Sequence, residues 1–215
     1  IEDVHSQNAG DQGILLGEGG QFAIRRCIIL DPGNFGIEVN GSGGFIHPMS
    51  GEITDNLVEL GGSGIRLING RAVRILRNSV RTTTSGPGIT VAGSNSCLLS
   101  ENSVEGSAGD GISFDMWFVN GQVGGNKVSD NVVSNAGGNG ILVSTSDNLI
   151  LNNTVSRSGL YGLYLSGSYN HVEGNVLNEN GNQGLKLTPG NTGTVYRRNM
   201  ARGNGGGGCL VPSTP

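Results

Sequence analysis

Five arginines fall close together in this chain: Arg66, Arg71, Arg74, Arg77 and Arg81. A guanidinium offers a planar fork of donors that matches a carboxylate, so such a group suits a polyanion such as a polyuronate. His47 is a candidate general base and Asp115 a candidate partner to orient it or Arg71. A base beside a cation is what a lyase needs to remove the proton next to a uronate carboxylate and to stabilise the enolate that develops. Trp117, Phe45 and Phe118 offer flat apolar faces on which a sugar ring can stack, and Arg66 a carboxylate contact. His47, Met49 and Met116 also make up a soft set of the kind that holds copper. The bland alternatives are a surface histidine and apolar loops folded down over the core.

These residues must be positioned by something, and the chain is visibly periodic. One unit is Gly, apolar, any residue, apolar. It appears as Gly36-Ile37-Glu38-Val39, Gly64-Ile65-Arg66-Leu67 and Gly88-Ile89-Thr90-Val91, and from Gly13 to Gly208 it occurs at nine positions. A second unit is Asn, any residue, apolar, beginning at Asn56, Asn78, Asn102, Asn131, Asn153, Asn175 and Asn199, with Cys27 in the same slot. The step is about 22 to 24 residues, with two longer coils. Apolar residues two apart read as short strands with one face inward. The glycine before each strand is expected to supply an unusual backbone angle at a corner. No stretch has a helical period. The expectation is an all-β, right-handed parallel β-helix of about nine coils stacked about 4.8 Å apart. Its asparagine column would form a ladder, because a buried amide must satisfy both its donors and its acceptor.

Charge tests that alignment. Asp55, Arg77 and Glu101 share one phase, and Glu59, Arg81 and Glu105 another. Glu52 meets Arg74, and Glu38 meets Arg66. Opposite charges therefore face each other between coils, which assigns Arg66, Arg74, Arg77 and Arg81 to ion ladders. Arg71 is left as the arginine without an acidic neighbour in register.

Composition agrees with a solenoid: 40 glycines, 5% aromatic residues and a modest apolar fraction in 215 residues. A net charge of -4 without a basic arm argues against nucleic acid. No apolar run approaches the roughly 20 residues of a membrane span, so no membrane partner is expected. The three cysteines lie several coils apart and are expected to be thiols.

The two long coils carry insertions in the corner after the glycine strand, one around Asn40 to Met49 and one around Asp115 to Gln122. They stand three coils apart, roughly 14 Å. They would wall a shallow trough, with Arg71 in its corner. Tyr161, Tyr164, Tyr169 and His171 share a later coil and read as a second sugar-contact patch.

With its Gly-Ile-x-Val and Asn-x-Val units, as in GNGILVSTSDNLILNNTVSRSG, the chain resembles the pectin-lyase-like superfamily of right-handed parallel β-helices. The resemblance spans nearly the whole chain and implies the fold. Its members range from lyases, hydrolases and epimerases to tailspikes and non-catalytic surface proteins. The Asp-Pro-His element of mannuronan epimerases is broken here, since Gly33 follows Asp31-Pro32. The adjacent aspartates of polygalacturonases are absent, and the grouped acids that hold Ca²⁺ in pectate lyases are dispersed. The resemblance thus implies an extracellular or cell-surface protein with a polysaccharide partner, processed or merely bound, with no cofactor other than Ca²⁺ as a candidate. The alternative is a structural, adhesive or tail-fibre module. Val4 already stands at the phase of Val80, and no capping helix is evident. Residues 1–215 are therefore expected to form one β-helix domain from a longer chain, or to self-associate through open ends.

Overall fold

The computed structural model describes residues 1–17, 20–41, 49–116 and 123–210. These form strands and turns, with no helix among them. The strands build three parallel sheets, of nine, nine and eight strands. The glycine sheet runs from Ile14–Gly17 to Cys209–Leu210. The ladder sheet, which follows each asparagine, runs from His5–Gln7 to Met200–Arg202. A third sheet, from Gly20–Arg25 to Val195–Arg197, lies between them in each coil. The sequence repeats expose the first two; the third is a finding of the structure.

Most strands are three or four residues long, and alternation gives each one or two inward positions. Ile37, Ile65, Ile89, Ile112 and Ile141 stack in register in the glycine sheet. Val58, Val80, Val104, Val133 and Val155 do so in the ladder sheet, and Ile53, Ile75, Leu99, Val128 and Ile150 in the third. All are buried. Fully burying such a side chain contributes roughly 1.5–3 kcal/mol, so each coil gains its stability from a few residues shared with its neighbours.

The asparagine ladder is present. Each Asn from Asn56 to Asn175 donates its main-chain N–H and its Nδ2 to the Oδ1 of the next, at 2.9–3.1 Å. Nδ2 also donates to a carbonyl of the preceding coil, as from Asn78 to Ile53. Cys27 heads the column through its main-chain N–H, which donates to Asn56 Oδ1 at 2.9 Å. Two further ladders turn the other corners. One comprises Asn126, Asn148 and Asn170, headed by the main-chain N–H of Cys97; the other comprises Asn180 and Asn204, headed by that of Ser158. Cys27 and Cys97 are buried free thiols, whereas Cys209 is exposed.

The glycine column does not serve the turns as expected. Left-handed φ angles fall instead on Arg26, Asp55, Arg77, Glu101, Asp130 and Asn152, the residues before the ladder positions. None of the glycines from Gly13 to Gly184 that lead the glycine-sheet strands has a positive φ. A Cβ at any of these eight would lie closer than 3.0 Å to another atom, usually a ladder-sheet valine or a carbonyl of the next coil. Glycine is required there by close approach, not by backbone angle.

The charge alignment holds in register. Arg77 makes two hydrogen bonds to Asp55, at 2.7 and 2.8 Å. Arg74 lies 3.7 Å from Glu52 and Arg66 4.0 Å from Glu38. Arg81 pairs in register with Glu59 and Glu105, without an ion pair within 4.0 Å among the described residues. The column also extends toward the N-terminus, where Arg26 binds Asp3 at 2.8 Å and Glu2 at 3.0 Å.

Candidate functional site

The outward face of the glycine sheet carries a cleft that holds predicted site residues. Its volume is about 610 Å³, within the range of small-ligand sites. Phe35, Arg66, Thr90, Asp115 and Met116 are among its lining. Alternation along the strands puts Arg66, Thr90 and Asp115 there. Glu38, Arg66, Thr90 and Ser113 form one outward column, while Ala92 and Asp115 form the next. Inward neighbours such as Leu67 and Phe114 hold the strands from beneath.

Arg66 lies with its guanidinium 4.6 Å from the centroid of the Phe35 ring. This is cation–π geometry, in which the ring backs the flat face of the guanidinium. Its 4.0 Å approach to Glu38 is looser than a charge-assisted hydrogen bond. Thr90 and Ser113 join their hydroxyls at 3.1 Å along the floor. Asp115 is half-buried. Burial raises its pKa above the ordinary carboxyl value; the Ser113 hydroxyl lowers it, and Asp110 raises it further. The cleft therefore presents a cation, a carboxyl group that holds its proton more tightly than usual, an aromatic ring and the hydroxyls of Ser63, Thr90 and Ser144.

A second cleft of about 600 Å³ opens at the adjoining corner, lined by Asn95, Ser96, Met116, Gly124, Ser146 and Asp147 among others. Met116 borders both clefts.

Of the predicted residues, Arg66 and Asp115 meet in one cleft. Arg71 is exposed at the corner, where its main-chain N–H donates to Met49 O at 2.8 Å, and it lines neither cleft. His47, Phe45, Trp117 and Phe118 lie outside the described residues, as do most of the two insertions. Among the described residues, no three His, Cys, Asp or Glu side chains gather as a metal set. Phe35, Thr90 and Ser144 were not singled out from sequence. Thr90 and Ser144 carried a signal, the outward phase of their strands, whereas Phe35 shares the phase of inward Ile37 and Val39 and carried none.

The model of the right-handed β-helix region matches residues 1–149 and 63–214. The chain belongs to the right-handed β-helix family. A comparison with curated proteins finds no match. Solved structures agree on the fold. The A-module of mannuronan C-5 epimerase AlgE4 from Azotobacter vinelandii superposes with a TM-score of 0.78 at 13% identity, covering 99% of this chain and 62% of that one. DFA-IIIase from Arthrobacter chlorophenolicus A6, in complex with GF2, gives 0.68 at 18% identity, covering 94% and 55%. The periplasmic alginate epimerase AlgG gives 0.54 at 17% identity, covering 89% and 49%. The chain thus spans between about half and somewhat under two thirds of the length of these structures.

Proposed function

We propose that this β-helix binds an acidic polysaccharide along the outward face of its glycine sheet, outside the cytoplasm, and that the Arg66–Asp115 cleft is where the chain is held. The observation that carries the reading is the convergence of Arg66, seated over Phe35, with Asp115 in one cleft. Arg66 would take a uronate carboxylate and Phe35 would back the guanidinium. The structural neighbours lend support by name, two as epimerases of mannuronan and alginate and one as DFA-IIIase. Processing needs a proton acceptor beside the uronate carboxylate and a positive group for the enolate. Arg66 is the positive group that lines the cleft, Asp115 a proton-holding group, and His47, from the first insertion in the sequence, the proposed base. Arg71 is proposed as a second cation at the rim.

A second reading, a non-catalytic binding module, is favoured by the ion ladders. Arg74 and Arg77 are paired to Glu52 and Asp55, which removes them from chemistry.

The test is a panel of polyuronates with and without Ca²⁺. Calorimetry reads binding, ultraviolet absorbance reads unsaturated products, and NMR reads epimerised units. Binding abolished by Arg66→Ala supports the cleft. Turnover lost in Asp115→Asn or His47→Ala supports the enzyme. Binding without turnover leaves the binding module; no binding to any glycan overturns both.

A further inference from the structure

Beyond the cleft, on the same outward face, Tyr161 and Tyr164 stack with ring centroids 5.3 Å apart and an interplanar angle of 29°. Both are half-buried, in a chain that is only 5% aromatic. Tyr164 belongs to the column that runs from Glu38 and Arg66 through Thr90, Ser113 and Leu142. Four coil steps separate it from Arg66, about 19 Å at the spacing of parallel strands. Lys186 follows in the next coil. Tyr161 is seated on a fixed corner: its N–H donates to Asn139 Oδ1 at 3.4 Å, and Asn139 Nδ2 donates to Asp110 Oδ1 at 2.9 Å.

We infer that Tyr161 and Tyr164 form a second platform for the acidic glycan chain seated at Arg66, with Lys186 pairing one of its carboxylates. This rests on the proposed function. A tyrosine pair offers a broad apolar surface with hydroxyls at its rim, the chemistry that receives the apolar face of a sugar ring while bonding its hydroxyls. The column from Arg66 to Lys186 carries a cation at each end and no acid between them, which complements a polyanion. The carboxylates of this stretch stand in flanking columns, and Asp110 is tied to Asn139. The occupant is therefore one chain long enough to touch both ends. Its second contact is intramolecular once the first is made, so affinity should step upward at the length that bridges them.

Calorimetric titration with oligouronates graded from dimer to octamer tests this, using the whole protein. The wild type should show a step in affinity of about tenfold between chains too short and long enough to span. Tyr161→Ala with Tyr164→Ala should erase the step, the phenylalanine pair should keep it, and Lys186→Gln should reduce it for charged chains but not for carboxyl-reduced ones. Circular dichroism checks that each variant is folded. A double-alanine variant that follows the wild type at every length overturns the platform and leaves the cleft standing. A loss of equal size for dimer and octamer also overturns it, by showing that the pair acts only through the fold. Failure of the wild type to bind any oligouronate, or indifference to Arg66→Ala, overturns the underlying function as well.

Discussion

Asn102 donates its main-chain N–H and its Nδ2 to one acceptor, Asn131 Oδ1, each at 2.9 Å. Its own Oδ1 accepts the same pair from Asn78 at 3.0 Å. It is therefore a link with buried partners on both sides. Asn102→Ala takes the acceptor from the main-chain N–H of Asn78 and the Nδ2 donor from Ile75 O and Asn131 Oδ1, the latter keeping the main-chain N–H of residue 102, and each buried group left unmade costs about 1–3 kcal/mol. A loss on the order of 3 kcal/mol should appear as a lower urea midpoint at constant slope. A loss below about 0.5 kcal/mol, typical of surface changes, would show that the ladder is dispensable.

The glycine column makes a position-specific prediction. A Cβ at Gly140 would lie closer than 3.0 Å to Val155 Cγ1, Gly162 O and Ser158 Oγ. At Gly208 the nearest neighbour is 3.9 Å away. Gly140→Ala should cost about 1–3 kcal/mol by overpacking, while Gly208→Ala stays within about 0.5 kcal/mol. Adding Val155→Ala to Gly140→Ala should recover part of the loss, because the side chain in the way is shortened. Equal effects at both glycines would refute the close-approach account.

These two columns show what a repeat in sequence can and cannot disclose. Asn56 to Asn199 was legible because an amide at a fixed phase has one economical explanation. The Asn126, Asn148 and Asn170 ladder escaped notice although its members are 22 residues apart and each opens an Asn-x-apolar unit, because the column lasts only three coils, the same phase carrying Val73 and Cys97 before it and Thr194 after it. The glycines were legible as a column but misread in cause, since spacing reports recurrence and not what lies opposite a missing Cβ. Arg66 was assigned to an ion ladder because register fixes which residues face each other. The structure keeps that pair at 4.0 Å and adds what register cannot give, the seat of the guanidinium over Phe35. The choice of Arg71 came from its lack of an acidic neighbour. That criterion finds an unpaired charge but carries no information on which cleft the charge faces.

The cysteines should react in a fixed order. Cys209 is exposed, whereas Cys97 is buried and desolvation pushes its thiol up to about 11. Burial raises the Cys209 thiol too, so its exposure sets the order: an aromatic disulfide reagent near pH 8 should titrate Cys209 first, more slowly than a free thiol. Cys27 and Cys97, held at the heads of their ladders, should react only on unfolding. Rapid reaction of all three in the native protein would contradict the buried placement.

Glu173 collects His171 at 2.9 Å, Arg197 at 2.9 Å and Arg198 at 3.0 Å. The hydrogen bond from His171, then that from Arg197, pulls its pKa down to about 2. A carboxyl depressed in the folded state stabilises it above the ordinary value near 4.5, and that contribution fades as pH falls toward the folded pKa. Carbon-detected NMR should find this glutamate titrating well below the ordinary glutamate value, and Arg197→Ala should raise its midpoint. A midpoint near 4.5 in the wild type would dissolve the cluster.

Asp115 predicts the opposite pH behaviour, and at the ligand rather than in the ladder. Burial raises its pKa, so it ionises later than an ordinary carboxyl as pH climbs. The folded state should lose stability between the unfolded and folded values, because ionisation is then the costly event. In the cleft, a neutral Asp115 leaves Arg66 to attract a polyuronate, while an ionised one repels it. Binding should therefore weaken as pH rises through the Asp115 midpoint, over a range in which the uronates are already charged. Asp115→Asn should bind more tightly above that midpoint and flatten the profile, and Arg66→Ala should lose binding throughout. The measurement is affinity for one oligouronate across a pH series at constant ionic strength, since salt alone weakens exposed charge contacts. A profile unchanged by Asp115→Asn would take Asp115 out of the binding surface, even if Arg66 remained in it.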